Sequence, residues 1–112
     1  MPRLLLDEND RQAIEEFRKD VQRLLGDRLE RLALFGSKAE GHGTSESDID
    51  LMVLITDSAA SMRDPILDLA FDVNLKYGVY ISPRIITLSN YQHPIWKITP
   101  FMKRLSQQSI PI

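Results

Sequence analysis

The chain contains no cysteine, and this absence excludes disulfide bonds and thiolate metal sites. It fits a reducing compartment, so we expect a cytoplasmic protein. No apolar run approaches the roughly 20 residues that a membrane helix needs, and we expect no membrane span. The N-terminus turns acidic after three leucines. It therefore lacks the apolar core of about 7–15 residues that a signal peptide has.

Acidic residues are absent from the last third of the chain. All 16 Asp and Glu residues lie at or before Asp72, whereas the 40 residues after it carry five Lys and Arg. This basic third either faces phosphates or an acidic partner, or is a set of scattered, solvated cations. The acidic balance of the first 72 residues argues against direct nucleic-acid binding, and we find no helix typical of nucleic-acid recognition.

The remaining composition is that of an ordinary globular protein, with 43% apolar and 27% charged residues. A length of 112 residues suits one compact domain, so we expect a single domain over residues 1–112. Apolar residues at helical spacing predict a helix from about Asp10, which can cap it, to residue 25, with Gly26 at its end. They predict a second helix over 58–77, ended by Gly78.

The strand predictions rest on short apolar runs. We expect strands at residues 31–35, 48–55 and 79–88, the last either at an edge of the sheet or with a bulge, because it contains Pro83. We call residues 89–112 the tail, and we expect in it a short helix near 100–105 and a final strand at 109–112. Together these elements describe an α+β fold, a small mixed β-sheet with helices packed against it.

A glycine and a serine come directly after the first predicted strand. Gly36 has no side chain to keep a phosphate from the backbone. Ser37 begins what looks like a helical turn, where its hydroxyl and exposed backbone N–H groups can meet a phosphate oxygen. Because Gly-Ser alone most often marks a turn, this pair indicates a phosphate site only in combination with a second motif.

Two carboxylates at the start of the second predicted strand supply that motif. Asp48 and Asp50 are two residues apart, so their side chains point to one face, with Cα atoms roughly 6.5 Å apart. Ionised carboxylates this close repel each other unless a cation lies between them. Mg²⁺ fits, because it takes oxygen ligands from one or two carboxylates and completes its shell with substrate phosphates. The two features together predict a metal-assisted phosphoryl-transfer site.

This combination resembles the nucleotidyltransferase superfamily related to DNA polymerase β, and within it the minimal nucleotidyltransferase (MNT) domains. Their pattern is Gly-Ser followed a short distance later by Asp-x-Asp in a hydrophobic strand. Here ten residues, 38–47, separate Ser37 from Asp48. The surrounding letters are similar to the family's Gly-Ser-x-Ala-x-Gly and Ser-Asp-Ile-Asp-Leu. The resemblance implies a nucleotidyltransferase fold, like the palm of polymerase β, over nearly the whole chain.

The resemblance also implies an activity. A nucleoside triphosphate, with ATP the first candidate, would bind with Mg²⁺ held by Asp48 and Asp50. Gly36, Ser37 and Lys38 would contact the nucleotide, with Ser37 on the β- or γ-phosphate, and AMP would pass to an acceptor hydroxyl such as that of a protein. Many MNT domains pair with a helical HEPN domain in toxin–antitoxin modules, so a HEPN-type partner and an antitoxin role are further expectations.

The chain departs from the superfamily at one position. Active members usually carry a third carboxylate on the strand after the second helix, where it ligates metal or acts as a base. Ser82 falls about where that acid is expected, and the last acid of the chain, Asp72, lies in the predicted helix. Two functions therefore stay open. One is an enzyme with two carboxylates, and the other is a catalytically degenerate domain that binds nucleotide or a partner protein.

Five side chains have a structural explanation that competes with a role in binding. Lys38 either neutralises the triphosphate or lies exposed, and His42 either contacts a phosphate or is a solvated loop residue. Tyr91, Trp96 and Phe101 either stack on a base or anchor the tail to the core, and anchoring is the better explanation.

Overall fold

A computed structural model of the chain describes residues 6–36, 48–103 and 110–112. The elements in chain order are α1 (Glu8–Leu25), a 3₁₀ turn (Gly26–Arg28), β1 (Leu29–Phe35), β2 (Ile49–Ile55), a 3₁₀ turn (Asp57–Met62), α2 (Arg63–Tyr77), β3 (Ile81–Thr87), α3 (Leu88–Gln92), α4 (Pro94–Lys97) and β4 (Ile110–Pro111). Residues 100–103 are also helical. Among the described residues, no helix has the length and apolar character that crossing a membrane requires.

The four strands form one mixed sheet in the order β3-β2-β1-β4. The inner strand β1 pairs antiparallel with β2 and β4, whereas β2, the other inner strand, runs parallel to β3. Parallel neighbours need a crossover connection, and α2 supplies it. The predicted α+β fold with a small mixed sheet is confirmed.

The side chains of β2 alternate between the two faces of the sheet and divide the core between them. We call the face covered by α1 and α2 the helix face. It contains Ile49, Leu51, Val53 and Ile55 of β2, packed with residues such as Phe17 and Ile66.

We call the opposite side of the sheet the tail face. Its buried residues are Ala33, Phe35, Met52, Leu54, Ile86 and Met102. The tail covers it, with Tyr91, Trp96 and Phe101 packed against the cluster. The rings of Phe101 and Phe35 meet edge to face, with centroids 5.4 Å apart. The predicted anchoring role of the tail aromatics is therefore confirmed.

The start of α1 differs from the prediction. Asp7, not Asp10, is the N-cap residue, and its Oδ1 accepts a hydrogen bond from the Asp10 N–H at 2.7 Å. Asp10 lies three residues after Asp7, and its Oδ2 accepts a hydrogen bond from the Asp7 N–H at 3.4 Å. The prediction was wrong because the first turn of α1 is polar, so the spacing of apolar residues does not show where the helix begins. The reciprocal hydrogen bonds between Asp7 and Asp10 form a capping box, which starts the helix earlier. Gly26 and Gly78 end the two long helices as predicted, at positive φ.

The edge position of β3 agrees with its proline. The Tyr80 carbonyl accepts from the Ile49 N–H at 2.8 Å, so Tyr80 points its backbone toward β2. Successive residues of a strand direct their backbone groups to opposite sides, so the backbone groups of Ile81 and Pro83 point away from β2. β3 is the outermost strand on this side, and Pro83 needs no partner there because it has no N–H.

The tail is more helical than the sequence indicates. The short helices α3 and α4 were not predicted, because segments of five and four residues are too short to show a helical period. The side chains of Thr87 and His93 cap their first turns. The predicted helix near 100–105 matches helical residues 100–103, and the predicted last strand matches β4.

Candidate active site

The end of β1 and the start of β2 meet at one end of the sheet, where Phe35 pairs with Asp50. The next residue, Gly36, has a φ of +80°, a left-handed conformation that favours glycine. A Cβ atom at this position would overlap the Asp50 carboxylate, and it would lie 3.1 Å from Asp50 Cγ. Gly36 therefore makes room for the Asp50 side chain. The sequence alone indicated only a phosphate-binding purpose for its missing side chain.

Asp50 is the second residue of β2 and the only one in this strand that is not fully buried. Its neighbours Ile49 and Leu51 are buried on the helix face, so Asp50 points to the tail face. Asp48 directly precedes β2 and is exposed. Asp50 thus lies on the same face as Met52 and Leu54, as the alternation of a strand predicts.

Ser82 lies beside Asp50. The two residues are direct partners in the parallel pairing of β2 with β3. Because Ile81 is buried on the helix face, Ser82 points to the tail face with Asp50. Ser82, which we expect at about the position of the superfamily's third acid, thus lies beside one of the two predicted carboxylates, Asp50. Asp72 lies on α2, across the sheet from this point.

Arg84 is a nearby cation that the sequence reasoning did not single out. It pairs with Met52, one same-face position beyond the Asp50–Ser82 pair. Its guanidinium carbon lies 5.9 Å from the centre of the Phe101 ring. The same arginine lines a cleft of about 490 Å³ with Arg63, Pro83, Ile85, Ile86, Trp96 and Phe101. Counting two residues on from Ser82 along the strand could have found it.

Three predicted contacts of the nucleotide fall between Gly36 and Asp48. Ser37 and Lys38, with the weaker candidate His42, lie outside the described residues. Their assignments stay predictions.

The donor set fits magnesium. Asp48 and Asp50 offer hard carboxylate oxygens, the ligands that Mg²⁺ prefers, and they leave coordination positions for phosphates and water. The glycine at position 36 keeps space around Asp50 that a Cβ atom would fill. Within residues 6–36, 48–103 and 110–112, no group of three or more His, Asp or Glu side chains has a metal-binding arrangement. A pair of carboxylates is therefore what the described residues offer.

Sequence comparison extends the match well beyond this motif. The profile of the family described as "Nucleotidyltransferase domain" matches residues 14–107. Two proteins of Methanocaldococcus jannaschii, both named "Putative protein adenylyltransferase", are 40% identical over 73 residues and 36% identical over 74 residues. These alignments cover 64% and 66% of this chain, and 74% and 70% of the two relatives.

Solved structures of other proteins share the fold of this chain. A chain of a toxin–antitoxin solved with AMP-PNP has a TM-score of 0.56 at 20% identity, covering 87% of this chain and 70% of that one. A chain of the toxin–antitoxin MntA–HpeT has a TM-score of 0.53 at 18% identity, covering 85% of this chain and 70% of that one. A structure described as a "putative minimal nucleotidyltransferase" has a TM-score of 0.53 at 20% identity, covering 90% of this chain and 94% of that one. With the family profile spanning β1, β2 and β3, the chain belongs to the nucleotidyltransferase domain family.

Proposed function

We propose that this chain transfers AMP from ATP to a hydroxyl group of a protein, with magnesium held by Asp48 and Asp50. The observation that carries the proposal is the meeting of three strands at one end of the sheet. Gly36 follows β1 and leaves room for Asp50 of β2, and Ser82 of β3 pairs with Asp50. The names of the M. jannaschii relatives and the AMP-PNP complex of a fold neighbour support the choice of an adenylyl group.

Each residue has a stated task in this proposal. Asp48 and Asp50 supply oxygen ligands, and bound Mg²⁺ would offset the charge of the triphosphate. Gly36, Ser37 and Lys38 hold the phosphates, through backbone N–H groups, a hydroxyl and an ammonium group. Arg84, on the same face of the sheet, adds positive charge.

The transfer step itself is a substitution at phosphorus. The acceptor oxygen forms a bond to the α-phosphorus, and the bond from that phosphorus to the oxygen bridging to the β-phosphate breaks. AMP remains on the acceptor, pyrophosphate leaves, and the proton of the acceptor hydroxyl passes to a base. Ser82 is a poor base at neutral pH, so water or a group of the partner protein receives this proton.

The proposal includes a protein partner. A fold neighbour belongs to a toxin–antitoxin complex, and this supports a module in which the chain is the antitoxin and modifies its toxin. The partner we propose is the helical HEPN type that MNT domains accompany. A purified HEPN-type protein is therefore the acceptor to test first.

One observation favours a second function. Ser82, and not a carboxylate, lies beside Asp50, and the sequence has no acid after Asp72. A domain without the third acid can bind nucleotide, or a partner protein, and act by occlusion alone. This alternative predicts binding without transfer.

Nucleotide titration tests the proposal. By calorimetry, ATP should bind the wild-type protein in the presence of Mg²⁺ and far more weakly in its absence. Asp48→Asn and Asp50→Asn should each abolish the Mg²⁺-dependent part while the melting curve shows an intact fold. Asp72→Asn is the matched control, because it neutralises an exposed carboxylate on α2 and should bind as the wild type does.

The outcomes separate the two functions. Unchanged Mg²⁺-dependent affinity in both Asp48→Asn and Asp50→Asn would refute the metal site. Transfer of label from α-labelled ATP to a protein acceptor, lost in the same variants, supports the enzyme. Tight Mg²⁺-dependent binding with no transfer to a supplied HEPN-type protein supports the degenerate domain.

A further inference from the structure

The outer side of α2 carries a row of exposed apolar side chains. Leu67, Phe71 and Leu75 follow one another at intervals of one helical turn, and 36%, 62% and 70% of their surfaces are exposed. The inner side of the same helix is apolar as well, because Ile66 and Ala70 are buried against the helix face. A helix that only covers a sheet needs one apolar side. The outer row, which we call the α2 stripe, is therefore not explained by the fold.

The size and rigidity of the α2 stripe are those of a contact surface. One phenylalanine and two leucines in a row expose an apolar area on the order of a few hundred Å², about the size of the largest patch on a typical monomer, which is often a functional site. The three side chains project from a single helix of 15 residues that packs along the sheet. A partner thus meets a preformed surface, which lowers the entropic cost of binding.

A row of carboxylates borders the α2 stripe. Asp64 and Asp68 precede Leu67 and Phe71 by three residues, and Asp72 precedes Leu75 in the same way. Residues three apart on a helix are surface neighbours, so each apolar side chain of the stripe has an acid beside it. All three aspartates are exposed.

The nearest lysine on α2 does not offset this row. Lys76 follows Asp72 by four residues, a spacing that allows an ion pair within the helix. Its ammonium instead lies 2.7 Å from a carboxylate oxygen of Glu16 on α1. The negative charge along the stripe is thus presented outward.

We infer that the α2 stripe is a docking surface for a basic amphipathic helix of a partner protein. Such a helix would place apolar side chains at three- and four-residue spacing on the stripe, with Lys or Arg along the flank that meets Asp64, Asp68 and Asp72. Apolar contact supplies the affinity, and the opposite charges fix the register and exclude acidic helices.

Charge also disfavours a second copy of this chain as the occupant. When two identical helices pack antiparallel across a two-fold axis, matching flanks face each other. The acidic row of one copy would then face that of the other. Like charges side by side oppose that pairing.

The docking surface does not depend on the proposed nucleotide chemistry. The α2 helix covers the helix face, whereas Asp50 points to the tail face on the other side of the sheet. Partner binding should therefore persist in Asp50→Asn. Failure of either proposal leaves the other intact.

Two synthetic peptides test the inference. Both are amphipathic helices of about 20 residues with the same leucine stripe. One carries Lys along a flank, and the other carries Glu at the same positions. By fluorescence anisotropy, wild-type protein should bind the Lys peptide at least about tenfold more tightly than the Glu peptide. The preference should weaken at roughly 1 M salt, where charges are screened beyond about 3 Å.

Two pairs of variants make the result specific to the stripe. Phe71→Ser with Leu75→Ser should weaken binding of the Lys peptide about tenfold or more, whereas Ile98→Ser, which changes an equally exposed apolar residue elsewhere, should not. Asp68→Lys with Asp72→Lys should reverse the preference toward the Glu peptide. Its control, Asp27→Lys with Glu30→Lys, changes the net charge equally and should preserve the preference. Melting curves verify that each variant folds.

Three outcomes would overturn the inference. Equal binding of the Lys peptide to all variants would mean that it attaches without using the stripe. Binding of neither peptide by the wild-type protein would reject a helical ligand. Concentration-dependent dimerisation in sedimentation experiments, abolished by Phe71→Ser, would identify a second copy as the occupant.

Discussion

Among the single residues of the candidate site, Gly36 has the most direct consequence for function. Its φ of +80° strains any other residue, and a Cβ atom would overlap the Asp50 carboxylate. We predict that Gly36→Ala lowers the free energy of unfolding by about 1–3 kcal/mol and weakens Mg²⁺-dependent ATP binding. Thermal unfolding and calorimetric titration measure the two effects.

Gly78 provides the matched control for this substitution. It also has a positive φ, +67°, but a Cβ atom there meets nothing within 4 Å. Gly78→Ala should cost only the backbone strain, about 1 kcal/mol, and should bind ATP normally. In the double variant Gly36→Ala with Asp50→Ala, the overlap is gone, so the second substitution should recover part of the lost stability. Equal ATP affinity in Gly36→Ala and Gly78→Ala would contradict the clash.

The hydroxyl of Ser82 leads to a second prediction about one residue. Ser82→Asp places a carboxylate beside Asp50, where a third acid could act as a base and contribute about 10²–10⁴-fold in rate. We expect faster AMP transfer or tighter metal binding. We also expect slightly lower stability without metal, through repulsion between the acids. Efficient transfer by the wild-type protein, impaired by Ser82→Asp, would show instead that the two-carboxylate site is complete.

How far the sequence predicts these residues depends on the range of each interaction. The orientation of Asp50 followed from the alternation of β2, and Ser82 followed from family resemblance. The overlap between Gly36 and Asp50 could not be predicted, because it depends on how β1 pairs with β2. Arg84 follows Ser82 by two residues on the same strand and therefore shares its face, so the sequence could have indicated it.

At the scale of secondary-structure elements, the Asn74 side chain connects α2 to β3 through two hydrogen bonds, which we call the Asn74 tie. Its Oδ1 accepts from the Ile81 N–H at 2.7 Å, and its Nδ2 donates to the Ile81 carbonyl at 3.1 Å. The side chain thus takes the place of a further strand along the outer edge of β3. It fixes the residue directly before Ser82.

Removing this tie should destabilise the protein. We predict that Asn74→Ala lowers the free energy of unfolding by about 1–3 kcal/mol, because two backbone groups of Ile81 lose their partner. Asn74→Asp keeps an acceptor for the N–H and should lose less. The control is Asn9→Ala, which removes one exposed hydrogen bond, from Nδ2 to the Tyr77 carbonyl, and should cost under about 1 kcal/mol. Denaturant unfolding compares the three, and equal losses in Asn9→Ala and Asn74→Ala would contradict the tie.

The elements themselves were predictable in proportion to their length. The helix that becomes α1 and the strand that becomes β2 each contain enough apolar residues to show a period, and both were found. The sequence predicts one helix over 58–77 and so does not separate the 3₁₀ turn Asp57–Met62 from α2, since the apolar residues of the turn continue the same spacing. The helices of the tail take their stability from packing on the tail face, which the local sequence does not reveal.

Across the whole molecule, an ion pair joins the two helices of the helix face. The hydrogen bond from Lys76 holds the pKa of the Glu16 carboxyl below its ordinary value, and the Tyr77 hydroxyl adds to this effect. Glu16 in turn raises the pKa of Lys76. The carboxyl contribution is present above the unfolded pKa of about 4.3 and is lost as pH falls through the lower folded value. The lysine contribution is complete below about pH 10.4 and is lost as pH rises through the folded pKa.

These directions predict a pH window for the pair. Glu16→Gln should lower the melting temperature slightly between about pH 5 and pH 10, and by nothing at pH values below the folded pKa of Glu16. The difference should shrink at high salt, since Lys76 is exposed and Glu16 is partly exposed. Melting curves of both proteins across pH measure it. A gap between the two proteins that stays constant down to pH 2 would mean that the charge of Glu16 is not the cause.

The two faces of the sheet also differ in when their residues leave the ribosome. The helix face is complete once β3 has emerged, because its central packing joins α1, α2 and the first three strands. The tail face must wait for residues 96–102, which cover Phe35 and Met52. During synthesis, α2 therefore presents its outer surface before the tail face has its cover. A partner that recognises α2 can bind the nascent chain before the tail closes over the tail face.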